Sequence, residues 1–233
     1  MLWTAIAVGA AFILNLIVYI FRLEKLKPFF KPLAMLTIIV WSLSAANWEI
    51  SLPLVLLIAA QVFGLAGDVF LLFPGKWFMW GLGAFLLGHF FYVDLMGLLL
   101  FQGSQTQALL QVFPWGYFVG IAVWAASIML FYRTFKPALT GEGASKSFWI
   151  AVQVYAFALS GLLAFSVIFV LSKPGFSVEW LLLPVGGVLF FLSDFALAYN
   201  RFIKQTYWRD LLVWVTYHLA QISLALGLIS LIS

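Results

Sequence analysis

Along most of its length this chain runs some twenty residues at a time almost without charge, and short clusters of turn-forming or basic residues break each run. The apolar runs fall at roughly 2–21, 30–47, 52–73, 77–101, 112–133, 147–171, 178–200 and 208–231. About 20 mostly apolar residues suffice to carry a helix across the hydrocarbon of a bilayer. The breaks are Arg22 to Lys31, Asn47 to Ser51, Pro74-Gly75-Lys76, Gly103 to Gln107, Arg133 to Lys146, Lys173-Pro174-Gly175, and Arg201 to Arg209. The pattern predicts an all-α integral membrane protein, a bundle of eight transmembrane helices forming one domain over residues 1–233. No loop is long enough to form a second domain. The second run is the shortest, begins at Lys31-Pro32, and admits a tilted or partly re-entrant segment.

Composition excludes the soluble alternatives. The chain is 65% hydrophobic and only 9% charged, where a soluble domain is about one quarter charged. Its mean hydropathy is +1.12. So much apolar surface requires lipid as the solvent. With no cysteine, disulfides, thiolate nucleophiles and cysteine zinc sites are all excluded. The net charge of +4 does not point to nucleic acid, because the basic residues lie in the short connections.

Those basic residues predict an orientation. With the N-terminus outside and eight spans, the inner segments hold Arg22, Lys25, Lys27, Lys31, Lys76, Arg133, Lys136, Lys146, Arg201, Lys204 and Arg209. Only Lys173 falls outside, as the positive-inside rule requires, so both termini are expected on the outer side. The first run has no basic residue before it and several after it, the reverse of a cleaved signal peptide, and reads as a retained anchor. Short loops throughout suit a bacterial inner membrane.

Polar side chains inside the spans define the candidate site. An aspartate near a helix centre costs roughly 2.5–3.5 kcal/mol on insertion scales, so Asp68, Asp94 and Asp194 are expected to face the bundle interior or a wet cavity. Gln61, Gly64 and Asp68 share one face of the third span. His89 and Tyr92 stand three apart on the fourth, in a stripe with Gly81 and Phe85. Asp210, Trp214, Tyr217 and Gln221 line one face of the eighth. Asp68 and Asp194 lie at nearly the same depth toward the inner face, with His89 and Tyr217 somewhat deeper. These four are expected to line one inward-opening pocket. Asp94 lies nearer the outer side and off the His89 face, and His218 lies off the Tyr217–Gln221 seam. The glycines at 81, 83, 88, 186 and 187 read as close helix contacts.

An internal repeat fits this layout. Residues 64–72, GLAGDVFLL, and 190–198, FFLSDFALA, are offset by 126 and share the aspartate. Each belongs to the third span of a four-span half and precedes a span with a buried histidine. Two parallel four-helix repeats are a known membrane architecture.

The chemistry open to these residues is acid–base. Two histidines and no cysteine fall short of the usual catalytic zinc ligand sets, so no metal and no cofactor are expected. There is no GxSxG elbow and no phosphate-cradling glycine loop. Burial favours the neutral acid, and two neighbouring carboxylates do not both ionise readily, so one serves as proton donor while the other stays charged. The same residues suit three classes: an enzyme, a proton-coupled lipid or solute transporter, and a non-catalytic lipid-binding protein.

A resemblance bears on the choice. GLAGDVFLLFPGKWFMWGLGAFLLGHFFY at 64–92 resembles the signature of the YhhN-like lysoplasmalogenases, with G-D-x-x-L followed by a glycine-rich span and H-x-x-Y. KPLAM at 31–35, LFFLSDFALAYNRF at 189–202 and VTYHLAQ at 215–221 are similar to the family's Lys-Pro, Ser-Asp and Tyr-Tyr-x-Ala-Gln motifs, in order. His218 departs from the family's second tyrosine, and Asp94 is no part of the motif. The resemblance implies an eight-span enzyme that hydrolyses the vinyl ether of a lysophospholipid, releasing a fatty aldehyde and glycerophosphoethanolamine or glycerophosphocholine. On that basis Asp68 and Asp194 form the acid–base pair, with His89, Tyr92 and Tyr217 orienting them. Lys31, Asn200, Gln221 and Ser193 would contact the substrate, with Lys31 and Asn200 at its polar head.

Overall fold

A computed structural model describes residues 2–73, 75–101, 114–140, 145–172 and 177–232. Eight helices run through them: α1 (Leu2–Ile20), α2 (Lys27–Ala45), α3 (Leu52–Phe70), α4 (Trp77–Phe101), α5 (Pro114–Leu139), α6 (Lys146–Ser172), α7 (Leu182–Phe202) and α8 (Tyr207–Ile232). One 3-10 turn, Val178–Leu181, leads into α7. Among the described residues there is no strand. All eight helices are long and apolar enough to cross a bilayer, and large apolar side chains stand exposed on every one. The chain is a multi-pass integral membrane protein. Lys173 and the break at Gly103 to Gln107 lie outside the described residues.

Local chemistry sets the ends of the helices. The Ser51 hydroxyl accepts the Leu54 amide at 3.4 Å and caps α3, with Pro53 in the first turn, where a missing amide costs nothing. Helices α1 and α2 both end in a left-handed residue, Arg22 (φ 55°) and Asn47 (φ 52°). In each case the following amide reaches back to an orphan carbonyl, Leu23 to Val18 and Trp48 to Leu43, both at 2.9 Å. Arginine is an unusual choice at such a position; here its guanidinium lies 4.3 Å over the Tyr207 ring.

Two ends differ from the sequence expectation in ways that bring basic residues into helices. Helix α2 begins at Lys27, three residues early, because Pro28 suits a first turn and Pro32 is accommodated inside the helix. Lys31 therefore lies within α2 and not in the connection before it. Helix α5 runs to Leu139, past the expected 133, and carries Arg133 and Lys136 on its last turns. Long basic side chains can reach the interface from inside a helix end. The second span is a complete 19-residue helix.

Sequential neighbours pack together. Helices α1 with α2, α2 with α3 and α3 with α4 form one set; α5 with α6, α6 with α7 and α7 with α8 form the matching set. Between the sets, α4 packs on α6 and α8 packs on α2. Glycines allow close approaches between helices. A Cβ on Gly88 would lie 3.1 Å from the Ala60 carbonyl oxygen, and one on Gly186 would lie 3.2 Å from the Ala220 carbonyl oxygen. Small residues serve membrane bundles in this way because lipid supplies no hydrophobic force between helices. Gly83, expected to make such a contact, has open space beside it; its face of α4 is turned away from α3.

Candidate active site

Between the two sets of helices lies a cavity of about 330 Å³. Asp68 from α3, Ser193 and Asp194 from α7, Lys31 from α2 and Tyr217 from α8 line its inner part. Lys27, Asn200, Arg201, Gln205 and Asp210 line the part nearest the helix ends. Leu71, Phe78, Phe85 and Leu197 complete an apolar wall.

The two carboxylates have different partners. Lys31 Nζ lies 2.9 Å from Asp68 Oδ1, and the two side chains are 12% and 1% exposed. The pair joins α2 to α3. Asp68 Oδ2 has no hydrogen-bond partner among the described residues. Asp194 instead accepts a hydrogen bond on Oδ2 from the Tyr155 hydroxyl, which joins α7 to α6. His89 Nε2 lies 3.7 Å from the same oxygen, too far for a hydrogen bond. Each aspartate is thus held by the second helix of its own set.

Behind the cavity lies a second polar layer. The Tyr92 hydroxyl donates to Gln221 Oε1 and joins α4 to α8. Gln61 Nε2 donates to Ser42 Oγ at 2.8 Å and joins α3 to α2. The Tyr217 hydroxyl lies 3.8 Å from Met35 Sδ. A Cβ on Gly64 would come within 2.9 Å of both that hydroxyl and Gln221 Nε2. His89 is enclosed by aromatic rings, with Phe190 at 4.7 Å and Tyr155 at 5.5 Å between centroids.

The cavity therefore brings together six of the nine residues singled out from sequence: Asp68, Asp194, Tyr217, Lys31, Ser193 and Asn200. His89, Tyr92 and Gln221 do not line it; they are buried one layer back. His89 was expected on the wall, but Tyr155 and Phe190 intervene. Two of the lining residues have committed side chains. Ser193 Oγ donates to the Val213 carbonyl at 2.9 Å. Asn200 donates to Asp210 Oδ1 at 2.7 Å and accepts the Thr206 amide at 3.3 Å, tying together the α7–α8 turn.

Asp94 overturns an expectation: it is exposed on α4, neither interior nor in the cavity. It sits seven residues before Phe101, roughly 10 Å from the helix end, and among the described residues no neighbouring helix covers that face. His218 is fully buried, with Nδ1 on the Trp214 carbonyl at 2.9 Å. Tyr155 was missed entirely. Its one sequence signal is a hydroxyl-bearing residue on an apolar span, and a chain with 8 tyrosines offers many of those. Among the described residues, no group of three His, Asp or Glu side chains is arranged to hold a metal ion.

Comparison with known proteins adds to this geometry. The model of the YhhN family matches residues 26–228. The human lysoplasmalogenase TMEM86A is 32% identical over 169 residues, which is 71% of this chain. The match spans 62% of that relative's own length. No solved structure matches.

Proposed function

The chain belongs to the YhhN family, and from that premise we propose that it is a membrane lysoplasmalogenase, cleaving the vinyl ether of a single-chain alkenyl glycerophospholipid. The observation that carries this reading is the pair of buried carboxylates on one cavity, one held by a cation and the other by a neutral hydroxyl. Similarity to a named lysoplasmalogenase supports the substrate class.

Vinyl-ether hydrolysis begins with proton transfer to carbon. Asp194, whose partner is the Tyr155 hydroxyl, is the donor; its Oδ1 carries the proton while Oδ2 stays on Tyr155. The proton goes to the alkenyl carbon remote from oxygen, and the π electrons form the new C–H bond. The adjacent carbon and the ether oxygen then share a positive charge. Asp68, paired with Lys31, lines the same cavity and stands against that cation. A carboxylate prepositioned where charge develops lowers the barrier without rearrangement. Water adds to the cationic carbon and gives its proton to Asp194, which is restored as the acid. The resulting hemiacetal moves its hydroxyl proton to the glycerol oxygen as the C–O bond breaks. The products are a fatty aldehyde and a glycerophospho alcohol, glycerophosphoethanolamine or glycerophosphocholine. Tyr217 closes the wall beside Asp68, and His89, Tyr92 and Gln221 hold the layer behind it.

The polar part of the cavity lies at the end of the bundle where the sequence concentrates its basic residues. Under the positive-inside rule that end is cytoplasmic, and both termini lie on the outer side. A bacterial inner membrane fits this arrangement.

The test is incubation of purified protein with lysoplasmalogen and detection of the aldehyde by mass spectrometry. Asp68→Asn and Asp194→Asn, each shown to be folded, should lose the activity by 100-fold or more. Near wild-type hydrolysis by either variant overturns the two-carboxylate mechanism. Gradient-driven lipid uptake with no aldehyde would make the protein a transporter.

A further inference from the structure

The cavity wall changes character along its depth. At the deep end are the two carboxylates. At the mouth stand Lys27 and Arg201, two cations, together with Asp210, an acid. The Asp210 carboxylate is held from one side by the Asn200 amide at 2.7 Å. The backbone separates the two levels by a definite amount. Asp194 to Arg201 on α7 and Tyr217 to Asp210 on α8 are each seven residues, an axial rise of about 10 Å.

That depth matches a particular ligand. In an alkenyl glycerophospholipid, six bonds separate the reactive vinyl-ether carbon from phosphorus, about 7 Å when extended, and ten separate it from the base nitrogen, about 12 Å. A lipid with its vinyl ether between Asp68 and Asp194 therefore carries its phosphate and amine to the rim at the cavity mouth. The rim offers charges of both signs, as a zwitterion requires. Arg201 suits the phosphate, Lys27 being already paired with Glu24 at 2.6 Å, and Asp210 suits the amine.

A second observation distinguishes between amines. A trimethylammonium group has no N–H to donate and is recognised on open aromatic faces. The aromatic faces nearest the rim are already taken by the chain's own cations. Lys27 Nζ lies 4.6 Å from the Tyr19 ring and 5.5 Å from Tyr207, and Arg22 lies 4.3 Å over Tyr207. A primary ammonium instead offers three donors, to Asp210 and to the side-chain oxygen of Gln205 beside it. Asn200 acts by positioning Asp210, since both ends of its amide are engaged.

We propose that Asp210, held by Asn200, is the amine subsite of the cavity and selects ethanolamine over choline headgroups. This rests on the lysoplasmalogenase reading for the substrate, and the test keeps the two apart. Alkenyl glycerophosphoethanolamine and alkenyl glycerophosphocholine of equal chain length are compared on the purified full chain. The ethanolamine lipid is expected to have about tenfold higher kcat/KM, with the difference in KM. Asp210→Asn should bring the ratio close to one, and Asp210→Glu should retain a preference. In a binding arm that needs no turnover, glycerophosphoethanolamine should raise the melting temperature of the wild-type protein and glycerophosphocholine should not. Hydrolysis without discrimination, or a preference that survives Asp210→Asn, overturns the subsite and leaves the enzyme reading intact. Selective stabilisation by glycerophosphoethanolamine with neither lipid cleaved supports the subsite and overturns the enzyme reading.

Discussion

Lys31 Nζ stands 2.9 Å from Asp68 Oδ1 inside the bundle, one turn beyond Lys27 at the cavity rim. Removing one member of a buried ion pair leaves the other charge uncompensated, at about 3–5 kcal/mol. Lys31→Met should therefore lower the melting temperature in detergent markedly and abolish aldehyde release. The double variant Lys31→Met/Asp68→Leu should recover most of the stability and none of the activity. Recovery of activity in the double variant would show that the pair is purely structural.

Tyr155 separates positioning from packing. Tyr155→Phe keeps the ring that packs on His89 but removes the hydroxyl from Asp194. The expected result is a loss in kcat of about 10–100-fold at nearly constant KM and melting temperature. A change in KM alone, or none in kcat, would place Tyr155 outside the mechanism.

Gly64 tests the layer behind the cavity. A Cβ there lies 2.9 Å from both the Tyr217 hydroxyl and Gln221 Nε2, so Gly64→Ala must displace at least one. Activity should fall at least tenfold, and stability by about 1–3 kcal/mol from overpacking. Gly83→Ala, with open space around the position, is the control and should behave as wild type in both assays.

Asp94 is a polar residue in a span but apart from the site. Because it is exposed on α4, replacing it by an apolar residue removes a charge from the lipid-facing surface. Asp94→Leu should hydrolyse lysoplasmalogen within about threefold of wild type and unfold at the same or a higher temperature. A loss of turnover in the folded variant would connect Asp94 to the chemistry.

The spans were legible because an apolar run and a helix share one length scale, and depth was legible because each residue adds a fixed rise. That is why Asp68 and Asp194 could be set at one level before any neighbour was known. Rotation and partnership were not legible in the same way. Lys31 was expected at the polar head of the substrate, and its pairing with Asp68 depends on how α2 lies against α3. His89 and Tyr92 do face the interior, but periodicity does not reveal which interior residues reach a cavity and which stand behind its wall. Tyr155 sits on α6, apolar around most of its circumference, and acquires its role only from α7. Asp94 shows the converse error: a costly residue in a span need not be covered when it lies near a helix end.

The two carboxylates are clamped separately, Asp68 to α2 and Asp194 to α6. No bond within either pair fixes the gap between them. That gap is set where the two sets of helices meet, α4 on α6 and α8 on α2 and α3. A shift of one set against the other would therefore change the carboxylate spacing while leaving both clamps intact.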